Sequence, residues 1–162
     1  MKPVRNCTLV FLIEREGDEV NRICLAMKKR GFGAGRWNGA GGKVENGETI
    51  EEAAIREAKE EIGVDPHEIS KIGELLFNFS HNPAWDMLVH AYLCEKWDGE
   101  PTESEEMRPQ WFSVQEIPFK TMWPDDEFWV PLVLGGKLVK AHFVFGEKDV
   151  IRKNDVQLVE NF

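Results

Sequence analysis

The sequence lacks paired cysteines, a membrane-length apolar run and an excess of positive charge. Its three cysteines, Cys7, Cys24 and Cys94, form no C-x-x-C pair, and each lies in an apolar run. A free cysteine in such a run packs as a small apolar side chain, so we predict buried thiols in a reducing compartment. No apolar run approaches the roughly 18 residues of a membrane span, and the first residues do not resemble a signal peptide. We therefore expect a cytoplasmic protein with no membrane partner.

Basic residues are the minority, with 20 Lys and Arg against 29 Asp and Glu and a formal net charge of −9. This balance disfavours binding to nucleic acid or to an anionic membrane. A nucleotide would need something to offset the charge repulsion, and a divalent cation is the obvious candidate. The length of 162 residues predicts one domain over residues 1–162, which is large enough to bury its own core.

The apolar runs predict an α/β domain with a mixed sheet and two principal helices. Strands are predicted over residues 7–13, 23–27, 69–79, 87–95, 108–113, 138–145 and 150–159. The sequence Thr49-Ile50-Glu51-Glu52 fits a capping box and predicts a helix that ends near Ile62. A second helix is predicted over residues 124–134, with Pro and acidic residues in its first turn. The polar segment 14–21 is predicted to connect the first two strands.

Three carboxylates fall on one face of the first predicted helix. Glu57, Glu60 and Glu61 are spaced i, i+3 and i+4, which brings them to one side of a helix. Like charges at this spacing repel each other, so the arrangement favours a bound cation. Oxygen ligands alone favour Mg²⁺, Mn²⁺ or Ca²⁺ over Zn²⁺. The alternative is a solvated acidic face, which is common in proteins this acidic.

A glycine-rich loop precedes this helix, with seven of the 14 glycines between Gly31 and Gly47. Glycine allows backbone to approach a phosphate or a metal closely. The loop has no match to G-x-G-x-x-G, and Val44 stands where a P-loop needs Ser or Thr. The two common phosphate-binding motifs are therefore excluded.

Loop and helix together contain one long motif. Gly42 is followed by five residues, Glu48, seven residues and then Arg56-Glu57-Ala58-Lys59-Glu60-Glu61-Ile62-Gly63-Val64. Residues 42–64 resemble the Nudix box, G-x5-E-x7-R-E-U-x-E-E-x-G-U, where U is a bulky aliphatic residue. The one departure is Ala58, which is small where a bulky residue is expected. The resemblance to the Nudix hydrolase family implies an α/β/α sandwich with a mixed sheet.

Segments outside the box are similar to one branch of this family. Residues 27–39, 105–109 and 122–126 are similar to the MutT-homologue branch, the oxidised purine nucleoside triphosphate hydrolases. The resemblance implies hydrolysis of substrates such as 8-oxo-dGTP or 2-hydroxy-dATP to monophosphate and pyrophosphate. Ala40, Asn6-Cys7 and residues 82–86 depart from the animal enzymes of the branch. Because these positions are expected near the base pocket or its rim, they bear on base preference.

The same resemblance implies a metal and catalytic set. Glu57, Glu60 and Glu61 would hold Mg²⁺, or Mn²⁺, with the Gly41 carbonyl as a further ligand. Glu106, in a distant acidic loop, is a candidate fourth carboxylate, and the alternative is a solvated loop acid. The implied catalytic residues are Arg56, Glu57, Glu60 and Glu61, with Arg56 orienting a carboxylate and one glutamate acting as general base.

The expected substrate contacts divide between phosphate and base. Lys28 and Lys43 are the nearest cations and suit phosphate as point charges, although Lys28 could equally be solvated. Asn38 offers an amide donor and an acceptor, and Trp123 offers a stacking surface. The remaining candidates are Thr8 and four apolar side chains for which plain core packing is the alternative: Phe32, Phe77, Phe79 and Met87.

Asp125 and Asp126 complete the expected base pocket beside Trp123. Two close carboxylates in an apolar pocket do not both ionise easily, so one keeps a proton and can donate it to a purine. The alternative is that these acids cap the second helix.

Three functions are compatible with these residues. The leading hypothesis is a Mg²⁺-dependent pyrophosphohydrolase that removes oxidised purine nucleotides. The second is a Nudix hydrolase of another diphosphate-linked substrate such as ADP-ribose, and the third is a non-catalytic nucleotide-binding domain. The intact box argues against the third, because a binder need not keep clustered carboxylates. We expect a monomer whose partner is a small-molecule nucleotide.

Overall fold

The computed structural model describes residues 4–162, whose strands form a mixed eight-stranded sheet. Along this part of the chain the strands and helices are β1 (Arg5–Glu16), β2 (Glu19–Lys28), β3 (Trp37–Asn38), α1 (Ile50–Ile62), β4 (Asp65–Phe79), β5 (Met87–Asp98), β6 (Met107–Ser113), α2 (Asp126–Leu134), β7 (Leu138–Phe145) and β8 (Ile151–Val159). Neither α-helix in the described residues is long and apolar enough to cross a membrane.

The sheet has the order β3-β2-β1-β5-β4-β7-β8, and β6 pairs with β2. Two pairs, β1 with β5 and β4 with β7, are parallel, and the other pairs are antiparallel. The predicted mixed sheet is therefore confirmed. Because β5 is parallel to β1 and antiparallel to β4, the start of β1 and the end of β4 lie at the same end of the sheet, where the site is built.

Both faces of the sheet are buried, which confirms the predicted sandwich. Along β1, Phe11 packs in the cluster that contains Trp129 of α2. Its neighbour Val10 packs in the opposite cluster with Ala54 and Ala58 of α1, because successive strand residues point to opposite faces. Ala58 is fully buried, so the small residue at this position of the box lies directly between the helix and the sheet.

Residues 14–21 do connect the first two strands in a hairpin, as predicted, but the turn is shorter than the predicted connection. Glu16 pairs with Glu19 across a turn of two residues, Gly17 and Asp18, and Gly17 has a φ of 64°, as tight hairpin turns require. The charged residues of the segment extend the strands, with Arg22 donating to Glu14 at 3.1 Å. Strand pairing at a solvated end does not need an apolar run.

The cysteines agree only in part with the prediction of buried thiols. Cys24 and Cys94 are buried, whereas Cys7 is half-buried. All three are free thiols.

Candidate functional site

Both ends of helix α1 are fixed by local hydrogen bonds. The Glu52 N–H donates to the Thr49 hydroxyl at 3.1 Å, and the Thr49 N–H donates to the Glu52 carboxylate at 3.0 Å, which is the predicted capping box. At the other end, Gly63 has a φ of 71° and its N–H donates to the Lys59 carbonyl. Such caps fix where the helix begins and ends, and so determine which face carries the glutamates.

Arg56 holds three carboxylates at once. Its guanidinium donates to both oxygens of Glu48 at 3.0 and 2.7 Å, to Glu57 at 2.8 Å and to Glu60 at 3.3 Å. A fifth bond reaches the Lys43 carbonyl at 3.1 Å. The Arg56 hydrogen bonds lower the pKa of Glu48 to about 2. Arg56 therefore orients Glu57 and Glu60, as predicted from its spacing.

The three glutamates of the predicted metal set differ in burial. Glu61 is 6% exposed, and burial raises its pKa to about 7. Its carboxylate accepts the Gly41 N–H at 2.8 Å and lies 3.8 Å from the Lys28 ammonium. Burial also raises the pKa of Glu57, whereas the Glu60 side chain is 59% exposed. Negative charge on the buried Glu61 and the half-buried Glu57 is costly without a cation.

Two glycines allow the loop to lie against β1 and α1. A Cβ on Gly41 would lie 1.8 Å from the Thr8 carbonyl oxygen, and one on Gly42 would lie 2.6 Å from the Glu57 carboxylate. The Thr8 N–H donates to the Gly42 carbonyl at 2.8 Å. Gly42, the first residue of the box, therefore has to be glycine for the loop to lie against the Glu57 carboxylate.

Glu106, the predicted fourth carboxylate, lies 3.6 Å from Lys28 and 2.7 Å from Arg30. The Arg30 hydrogen bond lowers the pKa of Glu106. Lys28 therefore faces both Glu106 and Glu61.

Within residues 4–162 no three acidic, thiol or imidazole side chains converge as a complete metal shell. The carboxylates are instead held by arginine and lysine. The donors still suit a divalent cation, because carboxylate and carbonyl oxygens are what Mg²⁺ prefers. The buried Glu61 and the half-buried Glu57 also lie beside the glycine loop.

A cavity of about 420 Å³ opens beside these groups. It is lined by all the predicted substrate contacts: Thr8, Lys28, Phe32, Asn38, Lys43, Phe77, Phe79, Met87, Trp123, Asp125 and Asp126. Gly41 and Glu61 also line it, whereas Arg56, Glu57, Glu60 and Glu106 lie outside its lining. The structure thus brings the predicted substrate contacts together next to the glutamates.

Aromatic side chains form much of the cavity wall. Phe32, which is 45% exposed, stacks on Trp123 with ring centroids 5.1 Å apart. Phe77 and Phe79 are buried and belong to the main core cluster, yet they also line the cavity. For these two residues, core packing and pocket lining are compatible.

The Asp125–Asp126 pair lies at the apolar end of the cavity. The residues are 2% and 3% exposed, and Asp125 accepts the Trp129 indole N–H at 2.8 Å. One buried oxygen of Asp126 has no hydrogen-bond partner among residues 4–162. Asp125 precedes α2 but its side chain makes no capping bond, so the helix-capping alternative is wrong for Asp125.

Burial raises the pKa of both aspartates, and the neighbouring Asp125 charge raises that of Asp126 further. The two carboxyls therefore hold one proton between them. The pair then offers one donor and one acceptor, as coupled carboxyls do when a single proton is shared.

Asn38 is oriented at the cavity wall by its neighbours. It pairs with Ala26 in the sheet, and its side-chain oxygen accepts the Gly39 N–H at 2.9 Å. The amide therefore has a fixed orientation beside the cavity.

Cys7 and Trp85 also line the cavity, and both fall in segments expected near the base pocket or its rim. Some cavity residues were not predicted: Arg5, Trp129 and Phe145. Trp129 follows Asp125 by four residues, a helical spacing that signals contact. Phe145 reaches Phe79 only through the pairing of β4 with β7, which no local pattern reveals. Ala40, expected near the base pocket, packs under α1 instead.

Comparisons with known proteins agree with this geometry. Residues 3–133 match the NUDIX domain family. The chain is 46% identical to the oxidized purine nucleoside triphosphate hydrolase of Mus musculus over 162 residues, covering all of both proteins. It is 47% identical to that of Danio rerio over 154 residues, or 95% of each.

The fold is also that of a solved bacterial structure. The mutator MutT protein from Bacillus halodurans superposes with a TM-score of 0.82 at 20% identity, covering 95% of this chain and 98% of that one. The capped helix, its glutamates and the glycine loop thus occur in a chain matched by the NUDIX domain over most of its length. This protein belongs to the Nudix family.

Proposed function

We propose that this protein is a Mg²⁺-dependent hydrolase that converts oxidised purine nucleoside triphosphates to monophosphate and pyrophosphate. One observation carries the proposal. A single cavity is lined by a buried glutamate, two lysines, Trp123 and a buried aspartate pair. The mouse and zebrafish relatives, which match nearly the whole chain, are named for this activity.

The phosphate end suits a triphosphate in several respects. Glu57, Glu60 and Glu61, with the Gly41 carbonyl and Glu106, would hold Mg²⁺. When bound, the metal supplies charge neutralisation and polarises phosphoryl oxygens. Arg56 fixes two of the carboxylates, and a glutamate of this set acts as the general base.

The lysines at the same end provide positive charge for the substrate. Lys28 and Lys43 line the cavity and act on phosphate as point charges. Lys28 lies close to Glu61 and Glu106, and its ammonium would be free to contact phosphate if those acids held a metal.

The base end suits an oxidised purine. A purine such as 8-oxoguanine presents a lactam N–H and an acceptor on one edge. A neutral Asp126 donates and an ionised Asp125 accepts, while Asn38 offers an amide at the wall. In a desolvated site, an unmatched polar group costs about 1–3 kcal/mol, so a base with the wrong pattern binds more weakly.

The test is the identity of the products across a nucleotide panel. The purified protein is incubated with 8-oxo-dGTP, 2-hydroxy-dATP, dGTP, dATP and ADP-ribose, with and without Mg²⁺. We expect pyrophosphate rather than phosphate, only with the metal, and fastest from an oxidised purine. A preference for ADP-ribose, or equal rates with normal and oxidised triphosphates, would contradict the proposal.

A further inference from the structure

The loop that follows β2 contacts the Trp123 side chain. The Arg36 guanidinium lies 4.2 Å from the centre of the Trp123 ring, and Phe32 stacks on the same side chain. A Cβ on Gly33 would come within 3.3 Å of the indole nitrogen. The position of this cavity wall therefore depends on Arg36 and its loop.

Arg36 is in turn held from the far end of the chain. Its guanidinium donates to the Asp149 carboxylate at 2.9 Å across a separation of 113 residues. Both side chains are only about a quarter exposed, 26% and 27%. Partial burial makes this pair less screened than an ordinary surface ion pair.

The backbone around Asp149 is strained. Lys148 and Asp149 have φ values of 59° and 57°, a left-handed conformation that side chains other than glycine rarely adopt. Such strain persists where surrounding contacts determine the conformation. The turn between β7 and β8 thus keeps the Asp149 carboxylate aimed at Arg36.

We propose that Asp149, acting through Arg36, positions Trp123 for the purine base, which makes the β7–β8 hairpin a determinant of base recognition. Asp149 lies beyond residues 3–133, the part matched by the NUDIX domain. The effect of this contact on substrate selectivity rests on the proposed function. The contact itself is independent of that proposal.

Asp149 can position Trp123 because its ion pair confines the Arg36 side chain, which would otherwise be free to move. A long cationic side chain held against an indole loses rotamer freedom, and its ion pair offsets that loss. Without Asp149 the guanidinium turns to water, and the indole loses one of its supports.

The decisive variant is Asp149→Asn, which keeps the shape of the side chain and removes its charge. The matched control is Glu95→Gln, which removes the charge from the exposed Arg15–Glu95 pair at 2.7 Å. Two further variants separate charge from stacking. Asp149→Glu restores the carboxylate, and Arg36→Lys keeps the charge but loses the planar contact with Trp123.

The first readout is the indole ¹H–¹⁵N resonance of Trp123, assigned with Trp123→Phe. We expect it to move in Asp149→Asn and Arg36→Lys, to return toward its original position in Asp149→Glu, and to stay unchanged in Glu95→Gln. The second readout separates KM from kcat. Asp149→Asn should raise KM for 8-oxo-dGTP roughly two- to five-fold, as for a lost cation–π contact, with kcat unchanged.

The outcomes distinguish the two proposals. A Trp123 resonance that stays in place in Asp149→Asn overturns the positioning role, as does an equal rise of KM in Glu95→Gln. Wild-type protein without preference for oxidised purines overturns the proposed function instead, and the positioning role is then decided by the resonance.

Discussion

The two ends of the cavity hold their carboxylates with different partners. At the phosphate end, the Arg56 guanidinium donates to Glu57 and Glu60, although burial still raises the pKa of Glu57 and of Glu61. At the base end, no arginine or lysine among residues 4–162 is bonded to Asp125 or Asp126, and burial raises the pKa of both. The first arrangement presents negative charge to a cation, whereas the second presents a proton and an acceptor to a base.

From this difference we expect the phosphate end to determine the rate of hydrolysis and the base end to determine selectivity between nucleotides. Changes at the phosphate end should alter turnover of every triphosphate alike, because all triphosphates share that chemistry. Changes at the base end should alter the ratio between substrates, because only the base differs.

The largest effect is expected for Glu57→Gln and Glu60→Gln. Each keeps the size of the side chain and removes a charge, so Mg²⁺-dependent turnover should fall at least about 100-fold. Steady-state assays at saturating Mg²⁺ measure this. Glu52→Gln is the matched control on the same helix, because glutamine also completes a capping box. Near-wild-type rates in both variants would show that the metal assignment is wrong.

Glu60→Gln should leave the folded protein intact without metal. The exposed Glu60 side chain loses one bond to Arg56 and one set of like-charge contacts, each worth a few tenths of a kcal/mol. Thermal unfolding in metal-free buffer should therefore show an unchanged or slightly raised Tm. A large fall in Tm would assign this residue a structural role.

The next effect is expected at the aspartate pair. Asp125→Asn or Asp126→Asn leaves a polar group unmatched against the base, so the preference for 8-oxo-dGTP over dGTP should fall roughly ten-fold or more. Values of kcat/KM for the two nucleotides give this ratio. Equal losses for both substrates would contradict the pocket assignment and leave the metal site untouched.

A smaller, several-fold effect is expected for Gly42→Ala. The added Cβ would lie 2.6 Å from the Glu57 carboxylate, so the carboxylate must move, and more Mg²⁺ should be needed for half-maximal activity. Gly73→Ala is the control, because its Cβ would meet Val139 at 3.4 Å, an ordinary contact. Identical Mg²⁺ titrations for Gly42→Ala and wild type would contradict the role given to this glycine.

The smallest expected effect is on pH-dependent stability. The pKa of Asp126 is raised well above its ordinary 3.8 in the folded protein. Its contribution to stability is therefore full below about pH 3.8 and is lost as pH rises through the folded-state pKa. Asp126→Asn removes this dependence, so the variant should lose less stability than wild type as pH rises. Parallel Tm curves for the metal-free proteins would contradict the assignment.

Local patterns explain why the phosphate end was predictable. The capping box, the spacing of the glutamates and the loop glycines all lie within residues 41–64, so helix geometry alone places them. The base end combines residues from β1, β3, β4, β5, α2 and β7. Its polar and aromatic members were found by resemblance and composition, not by geometry.

Contacts between distant segments could not be predicted. The pairing of Arg36 with Asp149 joins residues 113 positions apart, and the contact of Phe145 with Phe79 depends on strand register. The hairpin at Gly17 and Asp18 was predicted, but its two strands were predicted too short for a different reason. Charged strand ends give no apolar signal, although their backbone pairs as well as that of the core.

The separation of rate from selectivity is tested most directly by one set of kcat/KM values, for 8-oxo-dGTP and dGTP in wild type, Glu60→Gln and Asp126→Asn. The account predicts that Glu60→Gln lowers both values by a similar large factor and keeps their ratio. It predicts that Asp126→Asn lowers the 8-oxo-dGTP value far more and reduces the ratio roughly ten-fold or more. A ratio that changes in Glu60→Gln but not in Asp126→Asn would contradict it.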